Sequence, residues 1–185
     1  MFFFVLPNGL FALQSTPDAP LRVLLISRRP YDKYIQHSFV GRQLDNEDEL
    51  VEAMRGEAGV ALVKKVDMVQ LTFQAQLALM AGTDVLVGMH GAALSHVVYL
   101  PPWAGVMELW PKDHDMWRCF EHLTQLTGPA YQRWENKNDK RFRKDRHGDY
   151  TLVEVDEFMN QFRQLIDDVT ERRKRMLTDT VVKDR

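Results

Sequence analysis

The stretch from Asp84 to Pro111, DVLVGMHGAALSHVVYLPPWAGVMELWP, constrains the fold more than any other part of the chain. Val85-Leu86-Val87 is a short unbroken apolar run, the kind that fills a strand buried on both faces. Gly88-Met89-His90-Gly91-Ala92-Ala93 then replaces bulk with backbone where the chain must turn. A short helix is expected from Ala92 to Leu100, stopped by Pro101-Pro102, and Gly105 to Leu109 reads as the next strand. The first turn of such a helix carries N–H groups without intrahelical partners and the positive end of the macrodipole, a combination that suits an anion such as a diphosphate. The same layout also serves a plain α/β core in which the glycines allow only close packing, and it is not the G-x-G-x-x-G dinucleotide fingerprint.

Two other strand ends bear on the choice. Ser27-Arg28-Arg29 closes the apolar run Arg22 to Ile26 with polar and basic residues, and Glu108 is the polar residue near the end of the strand after the glycine turn. In a parallel sheet these ends are expected to converge on one crevice. The resulting site sets a diphosphate against the backbone of Gly91, Ala92 and Ala93, with Arg28 and Arg29 supplying charge-assisted bonds. Glu108 is expected to accept from ribose hydroxyls, since a carboxylate offers two acceptors to a vicinal diol. His90, the candidate catalytic residue of this chain, has two readings: it donates to a phosphate oxygen or a sugar, or it bonds the backbone of its own turn. His96 reads as packing, Asp84 as the entry of its strand, and Trp103 and Trp110 as apolar core, or as aromatics that stack on a uracil or line the crevice. Asp113, His114 and Asp115 have the chemistry of metal ligands but sit in an exposed loop, and arginine with a helix dipole can neutralise a diphosphate alone, so no obligatory metal or cofactor is expected.

Length and composition allow one core. A chain of 185 residues with 45% hydrophobic content fits one domain better than two. A net charge of -2 and a pI near 6.3 leave no surplus of basic charge for a general nucleic-acid or membrane-surface binder. The single cysteine, Cys119, excludes an internal disulfide framework and a cysteine-based zinc cluster. Burial in the core is expected for it, or a partner cysteine on another chain or segment. The apolar start, Met1 to Pro7, makes a poor signal peptide and is too short to span a bilayer, and no other apolar run is long enough for a membrane span.

Along the rest of the chain strand and helix signals alternate. Asn46 to Met54 reads as a helix with an acidic first turn, Val60 to Val63 as a strand, and Phe73, Leu77 and Met80 as a helix ending at Gly82. Met116, Trp117, Phe120, Leu123 and Leu126 mark another helix, Tyr131 to Trp134 a fifth strand. Residues 136–149 carry six Lys or Arg without periodicity and read as a mobile basic loop, or as a loop that meets an acceptor or partner. Asp156 is expected as the N-cap of a last helix with Phe158, Met159, Phe162, Leu165, Ile166 and Val169 on one stripe. From Glu171 the chain reads as frayed, with 176–185 a charged tail. Residues 1–20 form a poorly defined segment ahead of a domain over 21–175. The alternation implies a Rossmann-like parallel sheet with helices on both faces.

With these residues in place, the chain resembles the C-terminal part of a family 61 glycosyltransferase. The likeness rests on Gly88-Met89-His90-Gly91-Ala92-Ala93-Leu94-Ser95-His96, on Leu100-Pro101-Pro102-Trp103-Ala104, on Met107-Glu108-Leu109 and on Val155-Asp156-Glu157-Phe158-Met159. Ala93 stands where the motif's third small residue is expected to be glycine, which still leaves the backbone accessible. The resemblance implies the donor-binding half of a GT-B enzyme, with its facing N-terminal half absent and the general base in that half. It also implies UDP-GlcNAc as donor, Ser or Thr of extracellular EGF-like domains as acceptor, and residence in the endoplasmic reticulum lumen, although the closing Val182-Lys183-Asp184-Arg185 is not a retention tetrapeptide. The alternatives kept beside it are a non-catalytic nucleotide- or partner-binding fragment and a family 61 transferase with another sugar or acceptor.

Overall fold

The computed structural model describes residues 16–28, 40–111 and 118–183. Among them, in chain order, are β1 (Leu21–Ile26), β2 (Val40–Leu44), α1 (Glu47–Arg55), β3 (Val60–Val66), α2 (Phe73–Ala81), β4 (Val85–Met89), β5 (Gly105–Trp110), α3 (Cys119–Thr127), β6 (Ala130–Glu135), β7 (Phe142–Asp145), β8 (Gly148–Thr151) and α4 (Val155–Lys183). Short 3-10 helices cover Met68–Gln70, Ala92–Tyr99 and Asp139–Arg141. Five strands form a parallel sheet in the order β3-β1-β4-β5-β6. Chain direction across the sheet reverses between β1 and β4, which makes the carboxyl ends of these two strands the topological switch point of a Rossmann-like α/β sheet.

Alternation along each strand sends side chains to two apolar layers, so every central strand is apolar on both faces. Leu21, Val23 and Leu25 of β1, Val85, Val87 and Met89 of β4, and Met107 and Leu109 of β5 pack with Leu50, Val51 and Met54 of α1 and Phe158, Phe162, Leu165 and Val169 of α4. Leu24, Ile26, Leu86 and Val106 face the opposite way, onto Met80 of α2, Leu94 and Val97 of the 3-10 helix, and Phe120 of α3. Gly105 lets α4 come close, because a Cβ there would stand 2.7 Å from Val169 Cγ2 and 2.8 Å from Leu165 Cδ1.

Polar groups lock the amino ends of the strands. The Asp84 carboxylate is fully buried and accepts from the Arg22 backbone N–H and Nε, both at 2.9 Å, and from Trp103 Nε1 at 3.2 Å. Arg173, only 1% exposed, reaches it from α4 at 3.7 Å and also donates to the Ala19 carbonyl. Burial lowers the pKa of the Arg173 guanidinium, and the Asp84 charge acts in the opposite direction.

Several sequence expectations change. Residues 136–149 are not an irregular loop: they hold a 3-10 turn and the β7–β8 hairpin, which joins β2 in a three-stranded sheet of order β2-β8-β7. Its strands are charged, so apolar periodicity could not show them. They are held instead by Arg143, stacked 3.8 Å from the Tyr150 ring centroid and paired with Asp45 at 2.8 Å, and by Asp145 Oδ1, which takes the N–H groups of His147 and Gly148. β2 falls in what reads as a polar connection; its pairing is irregular and Arg42 has φ 61°. α4 begins at Val155 with Glu154 accepting from the Glu157 N–H, so Asp156 lies in the first turn and is not the cap. Nor does the chain fray at Glu171, because α4 continues to Lys183 and replaces most of the expected charged tail. Phe73 and Leu126, expected on buried helix faces, are exposed, and so is Cys119. Residues 1–15, Arg29 and the Asp113, His114, Asp115, Met116 and Trp117 group lie outside the described residues.

Candidate functional site

β1 and β4 deliver the first half of the site. Ser27, at the end of β1, is buried, and its hydroxyl donates to the buried Glu47 carboxylate of α1 at 2.9 and 3.0 Å, which fixes where the chain leaves the sheet. Arg28 follows, half-buried, and its Nη1 donates to the His90 carbonyl at 3.3 Å. The guanidinium passes directly over Gly91: a Cβ at that position would stand 2.5 Å from Nη1. Gly91 is therefore glycine for the close approach of an arginine, a reason beyond the turn itself. The Leu94 N–H closes the first 3-10 bond on the Gly91 carbonyl at 2.9 Å, so the N–H groups of Ala92 and Ala93 precede the first helical bond.

These groups wall a cleft of about 320 Å³ at the switch point. Its lining includes Arg28, Gly91, Ala92 and Ala93 from the predicted set, together with Asp67, Val69, Gln76 and His96. The Asp67 carboxylate is turned to its own loop, accepting from the Val69 N–H at 3.2 Å. His96 lines the cleft with both ring nitrogens engaged inside the fold: Nδ1 lies 2.9 Å from the Ala93 carbonyl and Nε2 2.8 Å from Gln76 Oε1.

The remaining predicted residues come together elsewhere. His90 and Glu108 do not line this cleft. Glu108 is not at an open strand end: β5 runs on to Trp110, and Glu108 lies opposite Gly88 in register with no exposed surface. One carboxylate oxygen lies 2.5 Å from His90 Nδ1 and the other accepts from the Tyr131 hydroxyl. A carboxylate so enclosed cannot meet a ribose diol, so direct ribose binding by Glu108 gives way to a hold on His90. The His90 ring is wedged edge-on between Trp110 and Phe120, at centroid distances of 5.6 and 5.2 Å. Burial, and then the bond to Glu108, push the Tyr131 pKa well above the usual phenol range, so Tyr131 remains a donor. Tyr131 escaped the sequence reading because it looked like one more aromatic of a buried strand; only the diagonal from β6 to β5 shows its role.

The tryptophans also leave the cleft. Trp103 is committed to Asp84 at the opposite end of the strands, and Trp110 is fully buried with Arg133 stacked 4.4 Å from its ring centroid. Neither can stack on a base. Among the described residues no three His, Cys, Asp or Glu side chains are grouped to hold a metal ion, and no helix is long and apolar enough to cross a membrane.

A five-stranded parallel sheet flanked by helices, with a cleft at its switch point walled by an arginine laid on a glycine turn, defines a Rossmann-like α/β domain. Its family is shown by comparison: the model described as glycosyltransferase 61 matches residues 10–107, more than half of the chain. The chain belongs to the family 61 glycosyltransferases. It is 36% identical over 122 residues to the EGF domain-specific O-linked N-acetylglucosamine transferase of Drosophila melanogaster, covering 66% of this chain and 21% of that protein. The protein of the same name from Gallus gallus is 34% identical over 146 residues, 75% of this chain and 26% of the relative. For Mus musculus the figures are 35% over 145 residues, 77% and 25%. The chain thus spans about a quarter of the length of the curated relatives it matches.

Proposed function

We propose that this chain is the donor-binding part of a GT-B transferase that moves N-acetylglucosamine from UDP to Ser or Thr of EGF-like domains in the endoplasmic reticulum lumen. The observation that carries the reading is the Arg28 guanidinium laid across Gly91 at the switch point, beside the Ala92 and Ala93 N–H groups. The names of the relatives support the sugar and the acceptor. In transfer, an acceptor hydroxyl attacks the anomeric carbon, its bond to the diphosphate breaks, and negative charge gathers on the leaving UDP. A guanidinium and preset backbone donors stabilise that charge without reorganising. The proton of the acceptor hydroxyl passes to a base supplied by the facing half.

Calorimetry of UDP and UDP-GlcNAc with the 185-residue chain, with and without a chelator, tests the reading. Weak binding that survives the chelator is the expected result. Absence of UDP binding, or binding of NAD in its place, rejects the nucleotide-sugar site, and a strict need for magnesium or manganese rejects its metal-free character.

A further inference from the structure

We infer that Glu108 and Tyr131 are positioning residues for the anion cleft, acting through His90 without touching the ligand. The inference rests on the reading above for its nucleotide and on geometry for the rest. His90 is gripped at three points of one residue. Its ring Nδ1 meets Glu108, its backbone N–H donates to the Leu109 carbonyl at 2.8 Å, and its carbonyl accepts from Arg28 at 3.3 Å. The Tyr131 hydroxyl takes the second oxygen of the same carboxylate, so the carboxylate cannot swing away from the ring. A path of hydrogen bonds therefore runs from β6 through β5 to the residue whose carbonyl seats the cleft arginine.

The chemistry of the path sets the ring. A carboxylate offers acceptors only, so the inference requires the proton of the His90 ring on Nδ1, the nitrogen that meets Glu108. Trp110 and Phe120 restrict the ring from either side. Neither Glu108 nor Tyr131 lines the cleft, and both lie beyond residue 107, where the family match stops. Their effect on anion binding is indirect: loosening the ring frees the His90 peptide, and with it the seat of Arg28.

The test uses the full 185-residue chain, with inorganic pyrophosphate and UDP as probes for calorimetry. Nitrogen NMR of the His90 ring and the thermal unfolding midpoint are the companion readouts. Wild type is expected to show a protonated Nδ1. Glu108→Ala and Tyr131→Phe are expected to weaken pyrophosphate binding by about five-fold or more, and Glu108→Ala to shift the ring toward protonated Nε2. His90→Asn puts an amide N–H near the Nδ1 position and is expected to retain affinity within about two-fold, while His90→Gln, which mimics Nε2, is expected to lose it. That contrast separates anchoring of the turn from loss of stability alone. Should Glu108→Ala fail to fold, Tyr131→Phe decides, since it removes one oxygen and keeps the ring.

The inference falls if wild type shows a protonated Nε2, if Tyr131→Phe leaves pyrophosphate affinity unchanged, or if His90→Gln binds normally while His90→Asn does not. It falls too if wild type takes neither probe. Binding of pyrophosphate but not UDP, with the variant pattern intact, upholds the relay and rejects the nucleotide reading.

Discussion

Arg28 and Gly91 work as a pair. Arg28→Ala removes a charge-assisted donor from the cleft and is expected to weaken UDP binding by about 1.5–3 kcal/mol, read by calorimetry, with the unfolding midpoint little changed. Gly91→Ala is expected to weaken binding as well, because the new methyl would displace Nη1, the far end of a flexible side chain, and leave the packing intact. Equal affinity in the two variants and wild type would remove the pair from the site. Tyr131 carries a pH prediction. Its folded pKa is raised, by burial first and by the Glu108 bond next, with a smaller contribution from Glu121 and opposition from Arg133. The unfolded chain ionises near the ordinary value of about 10 while the folded chain does not, so this stabilisation is present below about pH 10 and declines as pH rises beyond it. Denaturant titrations from about pH 9 to 11 are expected to show a shallower loss of stability in Tyr131→Phe than in wild type.

At the scale of elements, the two ends of the sheet are separable. Asp84 ties β1, β4 and α4 at the amino ends of the strands, and Asp84→Ala leaves Arg22 facing a nearly unexposed Arg173. Breaking a buried ion pair in this way is expected to cost about 3–5 kcal/mol in urea unfolding. Gly105→Ala pushes a methyl into Val169 and Leu165 of α4 and is expected to cost about 1–3 kcal/mol by overpacking. Both changes lie far along the strands from the cleft, so the molecules that remain folded are expected to bind UDP normally; reduced affinity per folded molecule would show that the ends are coupled. The β7–β8 hairpin belongs to the same scale. Asn46, just before α1, clasps the chain after it, with Oδ1 accepting from the Val153 N–H at 3.0 Å and Nδ2 donating to the Val153 carbonyl at 2.8 Å.

For the whole molecule the arithmetic of parts is decisive. The described elements make one Rossmann-like sheet with a small three-stranded sheet at its side, and the chain spans about a quarter of its relatives' length. Transfer needs an aligned acceptor and a crevice closed to water, which a single face of one domain does not provide. The chain alone is therefore expected to bind donor but to transfer no sugar to a folded EGF domain, assayed with radiolabelled UDP-GlcNAc beside an active full-length transferase. Robust turnover would place the missing base in this chain. Leu62, Val69, Phe73, Val98 and Tyr99 are exposed, so some self-association is expected in sedimentation at high concentration.

The strand and helix order of the parallel sheet, the glycine turn and the convergence of Arg28 with Gly91 were legible in the residues, because unbroken apolar runs and glycine placement are local properties of the chain. So was the place of Asp84 at its strand entry, though not its partners Arg22, Trp103 and Arg173. The partners of Glu108 were not legible: whether a carboxylate at a given step of a strand meets solvent or a neighbour depends on which strand lies beside it and in what register. Here β6 brings Tyr131 onto one oxygen and β4 brings His90 onto the other. The charged β7–β8 hairpin was hidden for the same reason, since its stability comes from Asp45 and Tyr150, residues that only the folded chain brings to Arg143. Periodicity in sequence determines which faces are apolar; tertiary contact decides which polar groups find each other, because hydrogen bonds and ion pairs act over a few ångströms between residues far apart in the chain.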